Sequence, residues 1–249
     1  MTIRVSRLSL LLLVCALTGL SVFGHIRTSA ALAETVTDPF RPDTDLSFGG
    51  IPGESTQLLL AVGKNRAATS VVLYVLEKNR NGWTSPFPSP IKVVIGRNGF
   101  ADPGTKREGD GKTPSGVYTL EFAFGDVAVV NTRMPYRKAT EADVWVDDVD
   151  SPDYNRWISG KTDTSSFEQM RRNDGLYKYG IVIGYNTRPV VRGLGSAIFL
   201  HLWKGTGIPT SGCVAMAEKD LVRILAWLDP QKKPLIAMGE QRTISSLVK

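Results

Sequence analysis

The chain has 249 residues, 42% of them hydrophobic, with 30 Lys and Arg against 24 Asp and Glu. That length can bury one sizeable core, and one domain is the default. The net charge of +6 suits an anionic surface such as a cell wall or membrane, and is too small an excess to indicate nucleic acid.

Taken in chain order, the first segment reads as an export signal. Arg4 and Arg7 form a basic head, Leu8 to Val22 is an apolar run broken only by Ser, Thr and Gly, and Ala31-Leu32-Ala33 supplies a small-residue cleavage site. The expectation is a signal peptide over 1–33, with Glu34 as the new N-terminus and delivery across the inner membrane to the periplasm or cell envelope. A retained anchor is the alternative, but the apolar run is at the short end for spanning a bilayer. Lipidation at Cys15 is a third option, disfavoured because Val14 stands where a small residue is wanted. Cleavage removes Cys15 and His25, and with Arg4, Arg7 and Arg27 it lowers the net charge by three. No other stretch is long and apolar enough to span a membrane.

Residues 34–56, rich in Pro, Asp, Thr and Gly, read as a linker. The domain is expected over 57–239. Strands are predicted at Leu58 to Val62, at the β-branched run Ser70 to Lys78, at Ile91 to Ile95 and at Gly116 to Phe122. Asn81-Gly82 marks a hairpin turn before Trp83. From Arg133 to Lys178 the pattern changes: Tyr136, Trp145, Tyr154, Trp157 and Tyr177 are interleaved with Asp147, Asp148, Asp150, Asp153, Arg137, Arg156, Arg171 and Arg172. Such a segment suits either a binding wall or lid, or an insertion whose aromatics anchor it to the core. Further strands are predicted at Gly180 to Ile183 and Ala197 to His201. One clear helix, Glu218 to Leu228, carries Leu221, Val222, Leu225 and Leu228 on one face and stops at Asp229-Pro230. Leu235 to Met238 is a closing strand, and 240–249 reads as a C-terminal tail. Many short strands with one good helix indicate a mainly β domain, a curved sheet or sandwich with one or two packed helices.

After signal removal the chain keeps one histidine and one cysteine, His201 and Cys213, twelve positions apart in a Gly-rich run. A thiolate is the nucleophile of cysteine chemistry and an imidazole its usual base. A single thiol forms no internal disulfide. A zinc site is a poor fit, since its remaining ligands would have to be carboxylates and none sits at ligand spacing. Ser211 or Thr210 as nucleophile is less apt than the neighbouring thiol. Gly212 lets the backbone approach a reacting group. Backbone N–H groups around Gly212 and Cys213 are candidate oxyanion donors. The helix starting near Glu218 would depress the thiol pKa if its N-terminus faced the loop.

The run Thr210-Ser211-Gly212-Cys213 with His201 upstream resembles the signature of the L,D-transpeptidase catalytic domain, the YkuD-like family: a His, a spacer, then Ser/Thr-x-Gly-Cys. Gly109-Asp-Gly-Lys-Thr-Pro-Ser-Gly116 resembles that family's Thr-Pro-x-Gly element. The resemblance implies a β-rich sandwich-like fold with Cys213 in a cleft. It also implies Cys213 as nucleophile and His201 as base, acting on the peptidoglycan stem bond between the meso-diamino acid and D-alanine. Thr210, Ser211 and Gly212 would form the oxyanion loop, with no cofactor and no metal. The partners implied are donor and acceptor stem peptides; the acceptor is the amine of another stem, a lipoprotein lysine, a free D-amino acid or water. With water, the activity would be that of an L,D-carboxypeptidase or amidase. A non-catalytic peptidoglycan-binding envelope protein, using the 133–178 segment as its surface, is the reading from another class. Three departures stand out: Ser211 where many members carry His, Ala215 where many carry Arg or Asn, and a shorter His-to-Cys spacing. Trp203, Lys204 and Tyr136 are expected to supply substrate contacts instead.

Overall fold

The computed structural model describes residues 49–247. The expected leader at 1–33, and the expected linker up to residue 48, lie outside the described residues. The strands in chain order are β1 (Gln57–Gly63), β2 (Ser70–Asn79), β3 (Gly82–Thr84), β4 (Ile91–Val94), β5 (Phe100–Ala101), β6 (Thr113–Pro114), β7 (Gly116–Gly125) and β8 (Tyr136–Lys138). Then follow β9 (Asp143–Val146), β10 (Trp157–Ser159), β11 (Phe167–Gln169), β12 (Gly180–Ile183), β13 (Phe199–Leu202), β14 (Val214–Met216) and β15 (Leu235–Glu240). Helix α1 (Glu218–Trp227) precedes β15 and α2 (Gln241–Leu247) follows it.

The fold is mainly β, as the strand pattern indicates. The main sheet runs β1-β15-β7-β12-β13-β14-β4-β2, and β2 pairs back onto β1, so the curved sheet closes on itself as a barrel. β3 and β8 attach at its side. The pairs β1–β15 and β13–β14 are parallel, and the other pairs around the ring are antiparallel.

Alternation along each strand divides its side chains between inside and outside. Leu59, Ala61, Leu73, Val93, Ile181, Leu200, Val214, Met216 and Ile236 belong to one buried cluster that fills the barrel. An eight-stranded ring is just wide enough for side chains to fill it. Leu221, Ile224, Leu225 and Leu228 join the same cluster, so α1 caps a barrel mouth with the apolar face that its helical spacing announces.

The outside is covered in two places, which is why β1 and β13 are buried along their whole length. Sheet strands covered on both faces read as continuous apolar runs. Leu58, Leu60, Tyr74, Leu76 and Trp83 pack with Ile244 of α2. Residues 241–247, expected as part of a tail, are therefore a helix with an apolar anchor. Ile51 and Ser55, at the close of the expected linker, are also buried.

The second cover is the 133–178 insertion. Its β10-β9-β11 strands form a small antiparallel sheet, each strand too short for alternation to show in the sequence. Trp145, Met170 and Tyr177 pack on Phe124, Val182 and Phe199 of the barrel's outer face. Phe199 meets Trp145, Phe124 and Tyr177 edge-on at centroid distances of 5.0, 5.3 and 5.8 Å, the geometry aromatic quadrupoles favour.

Asp143 staples the insertion together. Its carboxylate accepts from Thr140 N at 2.8 Å, Thr140 Oγ1 at 2.6 Å, Trp157 Nε1 at 2.8 Å and the Ser159 hydroxyl. Burial alone would raise its pKa, but these donors outweigh burial and hold it well below the usual carboxylate range. A depressed folded-state pKa gives stability that is present above the unfolded value of about 4 and lost as pH falls toward the folded value. Thermal unfolding of the parent should therefore weaken progressively below about pH 4. Asp143→Ala should destabilise by about 1–2 kcal/mol at neutral pH, because Thr140, Trp157 and Ser159 lose the acceptor they share, and should flatten that acid limb. An unchanged acid limb in the variant would refute the assignment.

Candidate active site

The β13–β14 pairing sets the site. The register matches Leu200 with Val214 and His201 with Ala215. Leu200, Leu202, Val214 and Met216 point into the barrel; Phe199, His201 and Cys213 take the alternate, outward face beneath the insertion. Cys213, just before β14, lies about 7 Å along the strands from the level of His201. Both line one cavity of about 290 Å³, shared with Arg97, Glu168, Arg172, Leu176, Tyr177, Trp203, Lys204, Thr210, Ser211 and Ala215.

The imidazole is oriented by its own backbone. His201 Nδ1 is 2.7 Å from Leu202 O. A carbonyl only accepts, so Nδ1 carries the proton and Nε2 keeps its lone pair. The Tyr177 ring stands edge-on to the imidazole at 5.3 Å. Burial lowers the His201 pKa to about 4, against the contrary pull of Leu202 O. Burial likewise pushes the Cys213 thiol up to about 12; the Phe199 N–H lowers it and Glu168 adds to the rise. The resting pair is thus a neutral thiol and a neutral imidazole. The thiol donates to Ala197 O at 3.1 Å and accepts from Phe199 N at 3.3 Å.

The loop before Cys213 is wired to two distant segments. Thr210 forms a bridge with Gly96, its N–H donating to Ile95 O and its carbonyl accepting from Arg97 N. Thr113, from the Thr-Pro element, donates to Gly212 O at 2.7 Å and accepts from Gly96 N at 2.9 Å. This bond is the physical link between the two motifs that stand 99 residues apart. Gly212 has φ +153°, and a Cβ there would sit 3.0 Å from Lys112 O; glycine is needed for that approach.

Two expectations about the nucleophile change. The Gly212 N–H donates to Thr210 Oγ1 at 3.1 Å and is not a free oxyanion donor in this conformation; Thr210 Oγ1 in turn donates to Cys213 O at 2.7 Å. Helix α1 does not serve the thiol either. β14 lies between them, placing the helix start about 16 Å along the chain from Cys213, whereas dipole effects fade within a turn.

Trp203 and Lys204 do line the cavity. Tyr136 does not: its hydroxyl donates to Val127 O at 2.7 Å and its ring packs against the barrel cluster, so it anchors the entry to the insertion. Ser211 accepts from Arg97 Nη1 at 3.1 Å. Ala215, opposite His201 in the register, keeps that part of the floor low.

Arg97 and Glu168 had no signal in the sequence, one being a charge in the turn after β4 and the other a charge in a segment without strand periodicity. Arg172 and Tyr177 were visible only as members of the charged and aromatic insertion. Arg172 makes a two-point pair with Asp174 at 3.0 and 2.6 Å and reaches Glu168 at 3.1 Å. Burial raises the Glu168 pKa, opposed by Arg172. Among the described residues Arg97 has no carboxylate partner. Its guanidinium also sits against Gly111, where a Cβ would come within 2.9 Å of Arg97 Cζ. The mouth therefore presents an unneutralised, oriented cation suited to a substrate carboxylate.

The model of the L,D-transpeptidase catalytic domain, YkuD, matches residues 65–236, and the chain belongs to this family. No curated protein matches it. Family membership supports an L,D-transpeptidase-family function and implies a peptidoglycan substrate. Among the described residues no helix is long and apolar enough to cross a membrane.

Two outcomes follow from this geometry. Alkylation of Cys213 by iodoacetamide should accelerate with pH through a midpoint well above the ordinary thiol value of about 8.5; a plateau at neutral pH would instead reveal a preformed ion pair. Arg97→Ala should raise KM for a carboxylate-bearing stem peptide about tenfold, with little change in kcat. An effect on kcat alone would assign Arg97 to the loop's geometry.

Proposed function

We propose that the protein is an exported cysteine L,D-transpeptidase that remodels or cross-links peptidoglycan stems through a Cys213 thioester. The supporting observation is the tautomer imposed by Leu202 O, which leaves Nε2 of His201 as a base in the cavity that holds the thiol. The sulfur's proton passes to Nε2 as Sγ attacks the carbonyl between the meso-diamino acid and D-alanine. The tetrahedral intermediate collapses with cleavage of the C–N bond, and the imidazolium returns the proton to the departing D-alanine amine. An acceptor amine then attacks the thioester, gives its proton to His201, and Cys213 leaves to be reprotonated. Starting from a neutral pair, the proton transfer accompanies attack rather than preceding it. General base catalysis of this kind contributes about two to four orders of magnitude.

Cys213→Ala and Cys213→Ser, incubated with purified muropeptides, should lose about a thousandfold or more of turnover; retained activity would overturn the mechanism. Mass spectrometry of the parent's products, with and without an added acceptor stem, separates transfer from hydrolysis. Products lacking D-alanine and never cross-linked would make the protein a carboxypeptidase. A thiol inert to a carbapenem, with no turnover, would make it a binding protein.

A further inference from the structure

The carbonyl that accepts the Cys213 thiol belongs to Ala197, and Ala197 has φ +53°. A left-handed conformation is uncommon for a residue with a Cβ and persists only where its surroundings impose it. Here the imposing group is Asn155, in the insertion between β9 and β10. Asn155 is buried. Its Oδ1 accepts from Ala197 N at 3.1 Å and from Trp145 Nε1 at 2.8 Å. Its Nδ2 donates to Tyr185 O at 3.2 Å and Asn186 O at 2.7 Å. All of its side-chain hydrogen-bonding capacity is thereby used on one fixed geometry. Asn155 itself has φ +58°, a conformation Asn tolerates better than other residues with a Cβ.

The preceding residues are tethered from the Thr-Pro side of the cleft. Glu108 accepts from Ser196 Oγ at 2.7 Å and from Tyr154 OH at 2.5 Å, and Tyr154 OH accepts from Gly195 N at 3.0 Å. The segment 195–197 is thus clamped by the insertion and by the motif loop together.

We propose that Asn155 is a positioning residue for the nucleophile: it holds Ala197 in the left-handed conformation that aims its carbonyl at the Cys213 thiol, fixing the sulfur's orientation and keeping the resting thiol protonated. This rests on the reading of Cys213 as nucleophile. A carbonyl oxygen 3.1 Å from sulfur stabilises S–H and repels a thiolate. The other charged or titratable groups around the thiol are Glu168, Arg172 and Tyr177 of the insertion, Lys106 just before the Thr-Pro motif, His201 of β13, and Arg97 and Lys204, which line the same cavity. None of them contacts Asn155 or Ala197 by a hydrogen bond, so substitutions at these two positions leave those charges in place. The insertion is accordingly part of the catalytic apparatus as well as a wall.

The test compares Asn155→Gly, Ala197→Val and Ala197→Gly with the parent, in the full mature protein. Asn155→Gly removes the tether while allowing the positive φ at 155. Ala197→Val introduces a β-branched residue that rejects the left-handed region, whereas Ala197→Gly accepts it. Asn155→Gly and Ala197→Val should lower the pH midpoint of Cys213 alkylation by about one unit, a tenfold gain in thiolate at a given pH below it. They should also lower kcat on stem peptides about tenfold with KM little changed. Ala197→Gly should keep the parent midpoint. A merely structural Asn155 would lower the unfolding temperature and leave the midpoint where it is, which would overturn the proposal; so would Ala197→Gly moving together with Ala197→Val. If Asn155→Gly does not fold, the two substitutions at 197 decide. Alkylation needs no stem peptide, so a parent that turns over no muropeptide would refute the functional reading while leaving this comparison intact.

Discussion

The parallel pairing of β13 with β14 is the constraint on which the site depends. It commits Leu200, Leu202, Val214 and Met216 to the barrel interior, and by alternation turns His201 and Cys213 to the opposite face. A one-residue slip would bury the imidazole in the core and turn leucines toward the cavity. The register is therefore held by the hydrophobic effect acting on neighbouring residues rather than by any bond between the two reactive groups. The geometry of the site and the packing of the core are set by the same short strands.

An outward face covered by the insertion has a chemical consequence. Desolvation disfavours the charged form of each partner, pulling His201 down and pushing Cys213 up. The result is a neutral resting pair held by backbone groups: Leu202 O on the imidazole, and Ala197 O and Phe199 N on the sulfur. A dyad oriented by main-chain atoms needs no third carboxylate, which accounts for the lack of any Asp or Glu beside His201 in the sequence. It also ties the setting of the sulfur to loop conformation, since Ala197, whose carbonyl accepts from the thiol, has a positive φ.

Much of this was legible beforehand. The β-branched runs, the amphipathic helix and the His-to-Cys segment all declare themselves through local periodicity and composition, and the Thr-Pro element strengthened the reading. The insertion was less legible, because strands of three or four residues carry too little alternation to register and their stability comes from Trp145, Met170 and Tyr177 packing on the barrel. Tyr136 illustrates the opposite error: an aromatic among charges that proves to be an anchor, its hydroxyl tied to Val127 O. The helix at Gln241–Leu247 has little signature in the sequence because its order comes from burying Ile244 against β1 and β2 partners, not from a strong amphipathic pattern.

The sequence by itself determined most of the elements and the closeness of His201 to Cys213 in the chain, because those follow from residue types at short range, periodicity and turn chemistry; the family was legible through the likeness of two short motifs to its signature. Only the tertiary structure decided closure of the sheet into a barrel, the Thr113 bond that joins two motifs, the cavity wall supplied by Glu168, Arg172 and Tyr177, and the tether from Asn155 to Ala197. Each of these joins residues far apart in the chain through hydrogen bonds and packing, and such contacts exist only once burial has brought the segments together.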